Sequence, residues 1–316
     1  VLAHALDLDD VTEFGLDRLV RSGARWSAYL KGVAWALQEG GFEVGGWEGV
    51  LAGDVPQGAG LSSSAALELA TGRAFAAASG LDWRPVEMAK VCQRAENEWV
   101  GVRCGIMDQM VSALGEAGHA VLIDCRSLET RPVPLPADAA VVVMDTGTRR
   151  GLLDSAYNER REQCEMAAAY FGVEALRDVG VEELEDARGL GETVRRRARH
   201  VVTENARTLE ACQAMEEGDA RKLGRLMDAS HESLRDDFEV SSEELNTMVR
   251  CARRHPGCYG ARMTGAGFGG CAVALIQEGE ADDFAVWVGA CYEAAAGRPS
   301  SIYLCRAADG ASVALS

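Results

Sequence analysis

The hydrophobic period of this sequence changes partway along the chain, and this change limits the folds that the chain can adopt. Between residues 120 and 147, the short apolar runs AVLIDC, TRPVPL and AVVVMDTG are separated by turn residues, which predicts a meander of strands. Later stretches have mostly helical spacing, before a last strand-like run, GGCAVALI. The predicted later helices cover 151–170, 193–216, 219–230 and 242–254. We therefore expect an α+β protein of two lobes, 1–149 and 150–316, with a ligand in the cleft between them.

The first lobe is predicted to contain three helices and a strand. Helical periodicity covers 25–39, an alanine-rich helix at 62–79 ends at Gly80, and a third helix at about 85–100 carries Glu96. The run GVLAGDVP predicts a strand that enters a loop, because glycine and proline interrupt it.

The composition of the chain restricts the kinds of molecule that it can bind. The 316 residues carry a formal net charge of −17, which argues against nucleic acid and anionic membranes, and no apolar run approaches the roughly 20 residues of a membrane span. The ten cysteines include no CxxC pair, and several, such as Cys125 and Cys271, lie in apolar runs. They predict buried reduced thiols rather than a disulfide framework or a zinc site. We expect a cytoplasmic monomer whose ligands are small molecules.

The stretch GAGLSSSAALELA, from Gly58 to Ala70, joins two glycines and three serines to the start of a helix. A helix N-terminus presents unpaired N–H groups and partial positive charge, and glycines allow close backbone approach, so the stretch can hold phosphate. Serine hydroxyls can also bind Mg²⁺. The alternative is that Ser62 or Ser63 is an ordinary N-cap. A Walker A loop is excluded because no lysine follows the glycines.

Two carboxylates follow in AENEWVGVRCGIMDQM. Glu96 and Asp108 could divide the work of phosphoryl transfer, one holding a metal ion and the other handling the acceptor hydroxyl. Either carboxylate taken alone would be interpreted as a solvated surface group.

A third glycine cluster, GARMTGAGFGGCAVALI, satisfies the dinucleotide pattern GxGxxG at Gly265, Gly267 and Gly270. That pattern requires a helix after the glycines, whereas a strand-like run follows here, so we reject a dehydrogenase. The cluster is either a packing loop where the lobes meet or a wall of the same phosphate site.

These three motifs, in this order, resemble those of the GHMP small-molecule kinases, and CGIMDQ together with the final YLCRAADGA resembles the galactokinase branch. DSAYNERREQC and SHESLRDDFEVSSEEL extend the resemblance over almost the whole chain. The resemblance implies a two-lobe fold, the substrates ATP and a sugar, Mg²⁺, and phosphorylation of the C1 hydroxyl of galactose.

The resemblance also implies roles for individual residues. Residues 58–64 would hold the ATP phosphates, Mg²⁺ would bind Ser64 and Glu96, Asp108 would face the C1 hydroxyl, and Gly105 and Tyr157 would contact the sugar. The phosphate-binding residues are Gly58, Ala59, Gly60, Leu61, Ser62, Ser63 and Ser64.

One expected motif is absent. Members of this branch carry a GRVNLIGEHTDY-like stretch near the N-terminus, with a catalytic arginine, and nothing in VLAHALDLDDVTEFGLDRLV matches it. We expect that first strands and this motif are missing, and that the 316 residues alone have little or no activity. The alternatives are a kinase for N-acetylgalactosamine, arabinose or another galactose-like sugar, or a non-catalytic sensor of sugar and ATP on the same fold.

Overall fold

A computed structural model describes residues 1–23, 25–56, 60–148 and 153–314, with side chains from 156 onward in the last range. The chain divides into two compact units. The first contains Val1–Gln57, Ser62–Val133 and Ala307–Ser316, and the second contains Gly58–Leu61 and Pro134–Arg306. Within the described ranges, no helix has both the length and the apolar character needed to cross a membrane.

In its described residues, the first unit contains two small sheets and four α-helices. Strands β1 (Leu2–Ala5), β2 (Asp10–Glu13) and β3 (Glu48–Leu51) form a sheet of order β2-β1-β3, in which β1 is antiparallel to β2 and parallel to β3. Strands β4 (His119–Ile123) and β5 (Thr130–Pro134) form a second sheet. The helices are α1 (Arg25–Glu39), α2 (Ser63–Ser79), α3 (Pro85–Arg94) and α4 (Met107–Leu114), with a π-helical turn at Ala95–Val100.

The core of this unit is formed by one apolar face of each of the four helices. Leu37 of α1, Leu69 and Phe75 of α2, Met88 of α3 and Met110 of α4 are almost fully buried against one another. Burial of these side chains is the main favourable term that holds the helices together. The helix bundle thereby fixes the ends of α2 and α4, which carry the candidate site residues.

The second unit is a four-stranded sheet with helices packed on it. Strands β6 (Ala139–Asp145), β7 (Cys258–Met263), β8 (Cys271–Gln277) and β9 (Ser301–Cys305) are antiparallel neighbours in the order β7-β8-β6-β9. The helices are α5 (Leu153–Phe171), α6 (Val181–Asp186), α7 (Glu192–Glu216), α8 (Ala220–Asp236), α9 (Glu243–Arg253) and α10 (Ala281–Ala296). Met144, Met248, Ile276 and Phe284 are fully buried in its core.

The predicted helices are confirmed, but the predicted meander is wrong at its last strand. Strand β6 pairs with β8 and β9, which lie more than 120 residues further along the chain, and not with β5. Because β6 lies in the middle of that sheet, the second compact unit starts at Pro134 rather than at residue 150, and Ala307–Ser316 returns to the first unit. Long-range pairing of this kind leaves no local signal in the sequence.

The cysteine prediction also needs correction. Cys251 of α9 and Cys291 of α10 form a disulfide, with their Cα atoms 5.8 Å apart. The two helices pack side by side, which brings these cysteines together although 40 residues separate them in sequence. Cys271 is buried as expected, whereas Cys125 is exposed, because it follows β4 in the turn that leads to β5.

Candidate active site

The start of α2 has an unusual backbone. Ser62, the N-cap residue, has φ 60° and ψ 33°, the left-handed conformation that non-glycine residues rarely adopt, and its side chain makes no capping hydrogen bond. Gly60 is also left-handed, at φ 78°. The ordinary N-cap interpretation of Ser62 is therefore wrong. The N–H groups of the first turn have no acceptor within the helix, which makes them available to an anion.

A buried cluster of two carboxylates and one carboxamide joins α2, the π-helical turn and α4. Nε2 of Gln109 donates to Oε2 of Glu68 over 3.0 Å and to Oε2 of Glu96 over 2.8 Å. Glu68 and Gln109 are completely buried and Glu96 is 5% exposed. One carboxamide thus connects the candidate metal ligand to a second acidic residue.

The π-helical turn sets the place of Glu96. The N–H groups of Gly101 and Val102 both donate to the carbonyl oxygen of Glu96, and Gly101 ends the turn at φ 91°, a conformation that favours glycine. The chain then bends back, so that the thiol of Cys104 donates to Oε2 of Glu96 over 3.1 Å. The N–H of Cys104 donates to Oδ1 of Asn97 over 2.8 Å, which holds this bend in place.

The carboxylates affect the acidity of their neighbours. Burial, and next the charge of Glu96, raise the pKa of Glu68 to about 9, to which the charge of Asp108 also contributes. Glu68 is therefore a neutral acid at pH 7. Burial and the hydrogen bond to Glu96 raise the pKa of the Cys104 thiol to about 12. Burial and then the charge of Glu96 also raise the pKa of Tyr29 in α1.

The structure brings together some of the predicted site residues. Glu96 joins the cluster, and Asp108, half-buried in the first turn of α4, directly precedes Gln109 and influences Glu68 through its charge. Ser63 and Ser64 form the first residues of α2, whose sixth residue is Glu68. Gly60 and Leu61 precede it, while Gly58 and Ala59 lie outside the described residues.

The two predicted sugar contacts are accessible. Gly105 is exposed and has open space where a side chain would begin, and Tyr157 is 43% exposed on α5 of the second unit. The roles assigned to them remain predictions.

Sequence reasoning missed Glu68 and Gln109 of the cluster, and also Cys104, whose thiol donates to Glu96. A signal for Glu68 exists, since its helical neighbours at −3, +4 and +7 are Ala65, Gly72 and Phe75. A lone acid on the apolar face of a helix is expected to have a buried polar partner. No comparable signal marks Cys104 or Gln109, because their partners lie on other elements.

The third glycine cluster is a loop between the antiparallel strands β7 and β8, which confirms the rejection of a dinucleotide fold. A left-handed backbone is found at Gly265, Gly267, Phe268, Gly269 and Gly270. The N–H of Phe268 donates to the carbonyl of Val240 over 2.6 Å, and the Thr146 hydroxyl donates to that of Gly270 over 2.6 Å. A side chain at Gly267 would begin 2.2 Å from the Val240 oxygen, so glycine is required there.

A second group of possible metal ligands, His255, Glu280 and Asp283, lies on the second unit. Nδ1 of His255 accepts a hydrogen bond from the N–H of Gly257, and Nε2 lies 3.0 Å from Oδ2 of Asp283. Both ring nitrogens are therefore engaged, and His255 is a buried histidine with satisfied hydrogen bonds.

Comparison with known proteins finds the same family in both halves of the chain. The family model for the GHMP kinases N terminal domain matches residues 28–116, and the model for GHMP kinases C terminal matches residues 209–293. A galactokinase of Roseiflexus sp. (strain RS-1) is 47% identical, over 98% of this chain and 81% of its own length. A galactokinase of Actinobacillus succinogenes is 43% identical, over 97% and 82%.

Solved structures agree with the sequence relatives. The crystal structure of Lactococcus lactis galactokinase complexed with galactose has a TM-score of 0.91 and 36% identity, covering 98% of this chain and 82% of that protein. The mevalonate kinase of Methanococcus jannaschii has a TM-score of 0.64 at 16% identity over 98% and 84%, a similarity of fold alone.

Proposed function

Because this chain belongs to the galactokinases of the GHMP kinase family, we propose that it transfers the γ-phosphoryl group of ATP to the C1 hydroxyl of D-galactose. The products are galactose 1-phosphate and ADP. The observation that carries the proposal is the 47% identity to a galactokinase over 98% of the chain, together with the TM-score of 0.91 to a galactokinase that holds galactose.

The start of α2 is the proposed phosphate site, with residues 58–64 around the ATP phosphates. Support comes from Ser62, whose hydroxyl is not used for capping and whose strained backbone is typical of functional loops. Donors fixed by the fold cost little reorganisation when charge develops on the transferring group.

Ser64 and Glu96 are the proposed Mg²⁺ ligands. Mg²⁺ prefers oxygen ligands, and both hydrogen bonds that the Glu96 side chain accepts from the described residues go to Oε2, which leaves Oε1 without a donor among them. The residues present therefore fit the ion. When bound, Mg²⁺ would neutralise charge on the phosphates.

Asp108 is the proposed partner of the sugar hydroxyl. In the reaction, the C1 oxygen forms a bond to the γ-phosphorus while the bond to the β,γ-bridging oxygen breaks, and ADP leaves with that electron pair. The hydroxyl proton passes to the Asp108 carboxylate, or this charge stabilises the hydroxyl as it ionises. Gly105 and Tyr157 would hold the sugar, because one is an open backbone position and the other an exposed phenol.

We also propose that the protein acts as a monomer in the cytoplasm. Support for the compartment comes from eight cysteines of the described residues that form no disulfide, although Cys251 and Cys291 do form one. Sedimentation of the purified chain tests the oligomeric state directly.

The test of the function is ADP release with galactose, followed by a coupled enzyme assay. It is run on the 316-residue chain and on a chain extended at its N-terminus by a GRVNLIGEHTDY-like segment. We expect Asp108→Asn to lower turnover by about 10²–10⁴-fold, the usual contribution of a general base. Asp82→Asn, an exposed aspartate in the turn after α2, is the matched control and should leave turnover unchanged. Unchanged turnover in Asp108→Asn would refute the assigned role.

A further inference from the structure

The orientation of the Glu96 side chain depends on groups that the chemistry of phosphoryl transfer does not itself require. A glutamate carboxylate that is free to rotate presents either oxygen to a ligand. Here Oε2 accepts from Nε2 of Gln109 and from the Cys104 thiol, at 2.8 and 3.1 Å. These two donors come from different segments, so they restrain the carboxylate from two directions.

Gln109 is itself held in one orientation. Its Nε2 has two hydrogens, and each is directed at a carboxyl oxygen, of Glu68 and of Glu96. Turning the carboxamide over would place its carbonyl oxygen against the Glu96 carboxylate and lose the hydrogen bond to it. Because Glu68 is completely buried on α2, it anchors the carboxamide from the helix that also carries the proposed phosphate site.

We propose that Gln109, anchored by Glu68, is a positioning residue that keeps Oε2 of Glu96 occupied and leaves Oε1 available as the metal ligand. This inference rests on the proposed function, in which Glu96 binds Mg²⁺. Gln109 does not contact substrate or metal in this arrangement, and it acts through Glu96. Groups that orient a metal ligand in this way typically change metal affinity by about 10–100-fold when they are lost.

The test measures Mg²⁺ dependence rather than turnover. A non-hydrolysable ATP analogue is titrated into the purified chain by calorimetry at a series of Mg²⁺ concentrations. Gln109→Met keeps the length of the side chain but removes the donor. We expect it to raise the half-saturating Mg²⁺ concentration by about 10-fold or more, with unchanged affinity for the analogue in the absence of Mg²⁺. A purely structural role would weaken both.

The matched control is Gln38→Met. Nε2 of Gln38 donates to the carbonyl of Leu16 over 2.9 Å, and Gln38 makes no hydrogen bond with Glu96, Cys104 or Gln109 in the described residues, so its loss should leave the Mg²⁺ dependence unchanged. Glu68→Gln, which retains an oxygen acceptor for Gln109, should behave as the unsubstituted chain. Glu68→Leu, which removes that acceptor, should follow Gln109→Met.

The outcomes separate the two proposals. If Glu96→Gln leaves the Mg²⁺ dependence unchanged, the assignment of Glu96 as ligand fails. If Glu96→Gln abolishes the Mg²⁺ dependence while Gln109→Met leaves it unchanged, Glu96 stands as a metal ligand and the positioning role of Gln109 is overturned. Should Gln109→Met lack a cooperative unfolding transition, the pair Glu68→Gln and Glu68→Leu decides. A higher half-saturating Mg²⁺ concentration in Glu68→Leu but not in Glu68→Gln supports the proposal. Equal half-saturating concentrations in the two variants overturn it.

Discussion

One close approach between a helix and a strand in the second unit depends on two glycines. Helix α8 crosses β7 at Gly224, which lies against Gly260. A Cβ atom at Gly224 would lie 2.0 Å from the carbonyl oxygen of Tyr259 and 2.3 Å from its carbonyl carbon. Both are backbone atoms of β7, the strand at one edge of the sheet, so they cannot move aside as a flexible side chain would.

The size of the effect of Gly224→Ala follows from this geometry. Ordinary contact begins at 3.4 Å, so α8 must move away from β7 by about 1.4 Å, enough to weaken dispersion contacts along the whole interface. Overpacking of this kind costs about 1–3 kcal/mol or more. Alanine recovers about 1 kcal/mol of helix propensity relative to glycine. Because the displacement affects contacts along the whole interface, the upper end of the overpacking range applies, and we expect a net loss of about 2 kcal/mol in the free energy of unfolding.

The control is a second glycine inside a helix. A Cβ atom at Gly289 of α10 meets nothing within 4 Å, so Gly289→Ala should gain the full propensity term, about 1 kcal/mol. Urea denaturation followed by circular dichroism measures both variants against the unsubstituted chain. Opposite signs are expected for the two substitutions. If Gly224→Ala is as stable as Gly289→Ala, the close approach of α8 and β7 is not as described.

Two further predictions concern the second unit. Cys291→Ala should lower the free energy of unfolding by about 4 kcal/mol without reductant, the chain-entropy value for a loop of 40 residues. Reductant should destabilise the unsubstituted chain equally and leave the variant unchanged, and urea denaturation with and without dithiothreitol decides. Nδ1 of His231 accepts the N–H of Met263, and burial lowers the pKa of His231 to about 4, below its unfolded value of 6.5. The unfolded chain therefore binds more protons between pH 6.5 and 4. As the pH falls through this range, His231 should lower the free energy of unfolding by about 1.4 kcal/mol per pH unit. His231→Gln should reduce that slope in urea titrations at pH 7, 6 and 5, and an unchanged slope would contradict the argument.

Local patterns predicted seven of the ten α-helices in the described residues and missed α4, α6 and α10. The helix expected at 25–39 is observed as Arg25–Glu39, and the one expected at 62–79 as Ser63–Ser79, where Gly80 ends it with φ 63°. These boundaries depend on periodicity and on a glycine that tolerates the left-handed conformation, and both are properties of nearby residues.

Strand pairing and disulfide bonding between distant segments could not be predicted from local patterns. The apolar run of β6 has the same composition whether it pairs with β5 or with β8, and only the completed sheet selects β8. The disulfide between Cys251 and Cys291 depends on the packing of α9 beside α10, which no spacing in the sequence encodes.

The candidate site likewise has features that the sequence predicts and features that only the tertiary structure reveals. The sequence by itself determined the α+β class and the helix start to within one residue of Ser63, and it proposed Glu96 and Asp108 as candidate site residues, because residue type and local spacing carry these properties. The tertiary structure alone decided that Glu96 shares the carboxamide of Gln109 with Glu68. In sequence, Gln109 is 41 residues from Glu68 and 13 residues from Glu96. The three side chains meet only because the apolar faces of α2 and α4 must be buried together.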